Sequence, residues 1–119
     1  MTEPSIRLLL DQHFHGRSPE VRRIYDAILA AARKLGPVEE EPKKASIHLV
    51  NRTAFAGVQT RREHLILTVK SQQDISSSRV FKREQASANR WHLELKLHSQ
   101  KDVDAELKKW LKQAYQISG

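Results

Sequence analysis

Six histidines among 119 residues, and no cysteine, bound the chemistry open to this chain. In the stretch RWHLELKLH, His92, Glu94, Lys96 and His98 fall on alternate positions. A strand there presents all four on one side, following Arg90, and turns Trp91, Leu93, Leu95 and Leu97 to the other. The polar side holds both acid and base types, and a histidine–carboxylate pair within hydrogen-bond reach is what proton transfer needs. Ser46 and His48 occupy the polar side of a second alternating stretch, ASIHLV. His48, His92, Glu94 and Lys96 therefore define one candidate surface, a polar sheet face. Ordinary solvation of a one-sided sheet produces the same pattern.

Other chemistries are poorly provided for. His92 and His98 are six residues apart, about 20 Å along a strand, too far to share a metal. His13 and His15 diverge on a helix. No H-x-x-x-H or H-E-x-x-H spacing occurs, so no metal and no cofactor are expected. Without cysteine there are no thiolate ligands and no thiol nucleophile. The four glycines never cluster into a phosphate-cradling loop, and no G-x-S-x-G elbow is present. Glu39-Glu40-Glu41 reads as a solvated edge that discourages sheet pairing. Asp102, Asp104 and Glu106 suit a helix start, where the dipole favours them. No catalytic residue is assigned.

The second candidate surface comes from charge. The chain carries 21 Lys and Arg against 14 Asp and Glu, a net +7. Residues 52–90 hold eight basic and three acidic side chains, whereas the two ends are each nearly neutral. Arg61, Arg62, Lys70, Arg79, Lys82, Arg83 and Arg90 are the candidate contacts for an anionic partner, nucleic acid included, with Phe81 among them as a stacking group. No recognised nucleic-acid module signature accompanies them.

The elements that must position these residues are well punctuated. A first helix starts near Thr2 or Ser5, carries Ile6, Leu9, Leu10 and Phe14, and stops at Gly16. A second has Ser18 as its cap, Pro19 at its first position, an apolar face from Val21 to Leu35, and a Gly36-Pro37 stop. The period then changes to two. Strands are expected over 45–50, 53–59, 64–69, 79–84 and 90–98, with 39–44 an edge strand or loop and Gly57 a bulge or close approach. Residues 70–78 are a flexible loop and 85–89 a turn. Ser99 and Asp102 form a capping box before a last helix that reaches Gln116, with Val103, Leu107, Trp110, Leu111, Ala114 and Tyr115 on its apolar stripe. The prediction is a single α+β domain over residues 1–119: an antiparallel sheet of about five strands with two N-terminal helices and one C-terminal helix on one face.

The segments HFHGRSPEVRRIYDAI, LGPVEEEPKK, FAGVQTRREHLIL and RWHLELKLHSQKDVDAELKKWLKQAY resemble the bacterial family called domain of unknown function 5655. The likeness spans nearly the whole chain and rests on Leu35-Gly36-Pro37, Phe55, and the closing Asp104, Trp110-Leu111 and Ala114-Tyr115. These are core, cap and turn positions. The resemblance implies a compact α+β domain and carries over no catalytic residue.

The expectation for function is a non-enzymatic cytoplasmic module binding an anionic partner, nucleic acid among the candidates. The alternative is a protein-interaction module, for a partner or a second copy, using a sheet edge or the polar face. An enzyme using the histidine-rich face ranks behind both. The chain contains no apolar run of membrane-spanning length.

Overall fold

The computed structural model describes residues 5–119. Two helices, α1 (Ile6–Phe14) and α2 (Pro19–Arg33), lead into six strands. These are β1 (Glu39–Pro42), β2 (Ile47–Asn51), β3 (Thr53–Thr60), β4 (Leu65–Ser71), β5 (Val80–Ser87) and β6 (Arg90–Leu97). A 3₁₀ turn (Gln100–Asp102) precedes α3 (Ala105–Gln116). The strands form one antiparallel sheet in the order β1-β2-β3-β4-β6-β5. The α+β class and the helix placement are as the sequence implies, with six strands rather than five. Among the described residues no helix is long and apolar enough to cross a membrane.

Helix ends follow local chemistry. The Ser5 hydroxyl accepts from the Leu8 N–H and caps α1; Thr2 lies outside the described residues. Pro19 opens α2, whose Ser18 makes no side-chain cap bond. The Ser99–Asp102 capping box is present, but it closes the 3₁₀ turn. α3 itself starts later, capped by Asp104, whose carboxylate accepts from the Leu107 N–H at 3.0 Å. That bond, reinforced by Arg79, holds the Asp104 carboxyl below the usual range although partial burial opposes it.

The core lies between the helices and one sheet face. Ile24, Tyr25 and Ile28 of α2 and Leu107 and Leu111 of α3 pack with Ile47, Leu49, Val58, Leu65, Leu67, Leu93 and Leu95. Trp110 is buried there, whereas Trp91 is only half-buried at the margin. The Tyr25 hydroxyl donates to Glu40 at 2.6 Å, so the otherwise solvated acidic strand β1 sends one carboxylate to the core boundary. Burial, then that carboxylate, pushes the phenol far above its ordinary range.

The bulge falls beside Gly57, not at it. Leu49 faces Ala56 and Val50 faces Ala54, leaving Phe55 as the extra residue. The bulge turns Phe55 inward, where its ring meets the edge of Tyr115 at 5.2 Å. Gly57 itself pairs regularly with His48 and Thr68. β5 is longer than expected. It runs through residues 85–87, where the sequence reading places a turn, because exposure on both sides removes any alternation. β4 likewise takes Lys70 and Ser71, so the connection to β5 begins at residue 72.

Candidate functional site

The sheet face turned away from the helices carries its side chains in register. One cross-strand row runs His48, Gly57, Thr68, Glu94, Lys82. A neighbouring row runs Lys70, His92, Glu84, and another Gln59, Ile66, Lys96. Gly57 contributes no side chain and Ala54 only a methyl, so the middle of the face is hollowed into a trough of about 360 Å³. His48 and Ser46 stand on one wall; Thr68, Lys70 and His92 stand on the other. A Cβ built on Gly57 would lie 3.9 Å from both His48 and Thr68, an ordinary contact, so the fold tolerates a larger residue there.

The four predicted polar-face residues do share this side, but they do not converge. β3 and β4 separate His48 from His92 and Glu94, three strand spacings or about 14 Å. Among the described residues no hydrogen bond joins His48 or His92 to a carboxylate. Glu94 lies 3.7 Å from Lys82, and the Lys96 ammonium sits 4.8 Å above the Phe81 ring, which is 45% exposed. The face can therefore hold charge and hydrogen-bonding groups against a ligand, without a ready proton-transfer pair.

The seven basic candidates are dispersed. Arg79 is engaged entirely within the protein: it chelates Asp104 at 2.9 and 3.1 Å, reaches Glu106 at 3.0 Å and the Asp102 carbonyl at 2.8 Å, and covers Trp110. Arg83 pairs with Asp74 at 2.8 Å and donates to the Ile75 carbonyl. Lys82 is the partner of Glu94. Arg61 and Arg62 sit at the β3–β4 turn, where Arg61 donates to Gln59 and the Arg62 carbonyl accepts from the Ser18 N–H.

Lys70 and Arg90 lie near enough for their charges to act on one another. Lys70 lines the trough and donates to the Thr53 hydroxyl at 3.2 Å, with no carboxylate in ion-pair reach among the described residues. One Arg90 guanidinium nitrogen is buried without a hydrogen-bond partner. Partial burial, and then the Arg90 charge, lower the Lys70 pKa below the ordinary lysine value. Lys70 thus stands in the trough lining with the Arg90 charge near enough to act on it, and neither has a carboxylate in ion-pair reach among the described residues. In the register the nearest acids are Glu94, diagonal to Lys70 on β6 and engaged by Lys82, and Glu84, across β6 on the exposed edge strand.

The sequence reading missed the trough floor and its neutral lining, Ala54, Gln59 and Thr68, because small residues on a strand carry no pattern of their own. It also missed one histidine pair. The register continues past Leu65–Leu97 to bring His64 and His98 together, with rings 5.4 Å apart. Burial, then the His98, Lys96 and Arg61 charges, lower the His64 pKa. Among the described residues no cluster of three or more metal-ligating side chains exists.

A six-stranded antiparallel sheet with helices on one face and an open trough on the other makes this a small α+β domain. The chain belongs to the family described as Domain of unknown function (DUF5655), which matches residues 10–118. No curated protein and no solved structure matches the chain significantly.

Proposed function

We propose that the domain is a non-enzymatic binding module that holds an anionic ligand on the solvent-facing side of its sheet. The observation that carries this reading is the Lys70–Arg90 pair: two cations without a carboxylate partner beside a trough with an uncharged floor. An anion placed beside Lys70 would offset the repulsion between the two charges. Ser46, Gln59 and Thr68 offer neutral hydrogen bonds along the rest of the trough. A phosphate-bearing ligand, from a mononucleotide to a single strand of nucleic acid, has the matching chemistry, and the reading takes the domain as cytoplasmic, where such ligands abound.

Calorimetric titration with inorganic phosphate, a mononucleotide and a short single-stranded oligonucleotide tests it. Affinity is expected to fall with rising salt and to fall at least about tenfold in Lys70→Gln and Arg90→Gln. Lys70→Gln is also expected to melt no lower than the parent, because the fold disfavours the Lys70 charge. Absence of binding at low salt, or binding indifferent to both substitutions, would overturn the reading.

A further inference from the structure

A second concavity, on the opposite side of the molecule, goes beyond that reading. Between the C-terminal part of α2 and the outer side of α3 lies a groove of about 410 Å³. Ala31, Leu35 and Ala105 give it an aliphatic floor, and Lys34, Lys108, Lys109 and Lys112 surround it. No carboxylate lies in ion-pair reach of any of the four lysines among the described residues. The acids of α3, Asp104 and Glu106, flank Ala105 at the start of the helix and are engaged by Arg79. The helix is therefore polarised, its acidic start satisfied within the fold and its basic remainder unmatched. Leu35 and Lys112 also line an adjoining recess with Tyr115 and Gln116, so the groove continues past the end of α2.

We infer that this groove docks an acidic amphipathic segment of a partner protein, one that sets aliphatic side chains on the Ala31–Leu35–Ala105 floor and carboxylates against the four lysines. Charge complementarity selects the sign of the occupant, and the floor selects its kind. A nucleic-acid backbone gains nothing from aliphatic carbon, and the rim offers neither arginine forks nor an exposed aromatic for a base to stack on. A membrane surface is flat and would call for protruding apolar groups. The exposed large apolar side chains, Ile6, Leu8 and Phe81, all lie outside the groove. An amphipathic peptide uses both features together.

The test is fluorescence anisotropy on the full chain with a labelled peptide of glutamates carrying leucines at helical spacing. Its comparators are the same peptide with serine for leucine, phosphatidylserine vesicles and a single-stranded oligonucleotide. The leucine peptide is expected to bind, and the serine peptide to bind roughly tenfold or more weakly. Lys108→Glu with Lys112→Glu should abolish binding. Ala105→Tyr, which fills the floor and keeps every charge, should weaken it while the melting temperature stays near the parent's. Lys70→Gln should leave peptide binding unchanged, which separates this site from the sheet face. Equal binding of the two peptides, indifference to the charge reversal, or tighter binding of vesicles or oligonucleotide lost on that same reversal would overturn the proposal.

Discussion

At the scale of single residues, Arg79 shows why a basic side chain cannot be assigned from charge alone. By composition it belongs with the anion contacts. In the fold its guanidinium is consumed by Asp104, Glu106 and the Asp102 carbonyl, and its plane covers Trp110. It joins the β4–β5 connection to the start of α3, so its loss should be felt as stability. Arg79→Ala is expected to cost about 1–3 kcal/mol in denaturant unfolding, the range for charge-assisted bonds partly open to solvent, and to leave phosphate binding unchanged. The two tryptophans divide on the same principle of local surroundings. Trp110 is buried, and Trp110→Ala should cost about 3–5 kcal/mol. Trp91 is half-buried at the sheet margin, so Trp91→Ala should cost roughly 1–2 kcal/mol through lost apolar area. Equal losses for the two would mean that the Trp91 ring is as well packed as Trp110.

At the scale of elements, legibility followed burial. α2, α3 and β6 each bury one face and expose the other, so their period could be read directly from the sequence. β1 could not be assigned between strand and loop, because Glu39-Glu40-Glu41-Pro42 pairs on one edge only and buries almost nothing except the Glu40 contact to Tyr25. The far end of β5 was hidden for the opposite edge's reason: from Phe81 onward every side chain is exposed. The bulge escaped because it depends on how β2 meets β3, a register property absent from either strand alone. The stop after α2 was legible as Gly36-Pro37, and its structural use adds a requirement. Gly36 has φ +153°, and a Cβ there would collide with the Tyr115 hydroxyl, which itself donates to the Pro37 carbonyl at 2.9 Å. Gly36→Ala should therefore lower stability by about 1–3 kcal/mol. Adding Tyr115→Phe should relieve only the hydroxyl part of the clash, since the ring Cζ stays 3.2 Å from the new Cβ and the bond to Pro37 is lost, and should recover none of the backbone part. A Gly36→Ala variant that melts with the parent would show that α3 shifts freely at this point.

At the scale of the whole molecule, segment-by-segment charge counting pointed to residues 52–90, which do hold Lys70 and Arg90, but the grouping of cations on each of the two surfaces comes from the fold. Lys70 meets Arg90 only because β4 pairs with β6, and Lys34 meets Lys108, Lys109 and Lys112 only because α2 packs beside α3. The C-terminal stretch looked neutral because Glu94, Asp102, Asp104 and Glu106 nearly offset its five lysines in the count, although Asp102, Asp104 and Glu106 lie at or before the first turn of α3. Burial at His64 and the helix cap at Asp104 set much of the response of the fold to acid. His64 has a lowered folded-state pKa, so the fold favours its neutral form: that stability is present above the ordinary value of about 6.5 and is lost as pH falls through the lowered one. Asp104 is lowered too, and the fold favours its carboxylate. Its contribution is present above about 3.9 and disappears as pH falls further. The melting temperature should hold steady from about pH 8 to 7 and then descend in two stages, one below about 6.5 and one below about 4. His64→Gln should remove much of the first stage and leave the second. Asp104→Asn, which can still cap α3 through its side-chain oxygen, should shrink the second and leave the first. If His64→Gln keeps the full upper descent, the protons responsible bind elsewhere, and the His64–His98 pair is not where this molecule first feels acid.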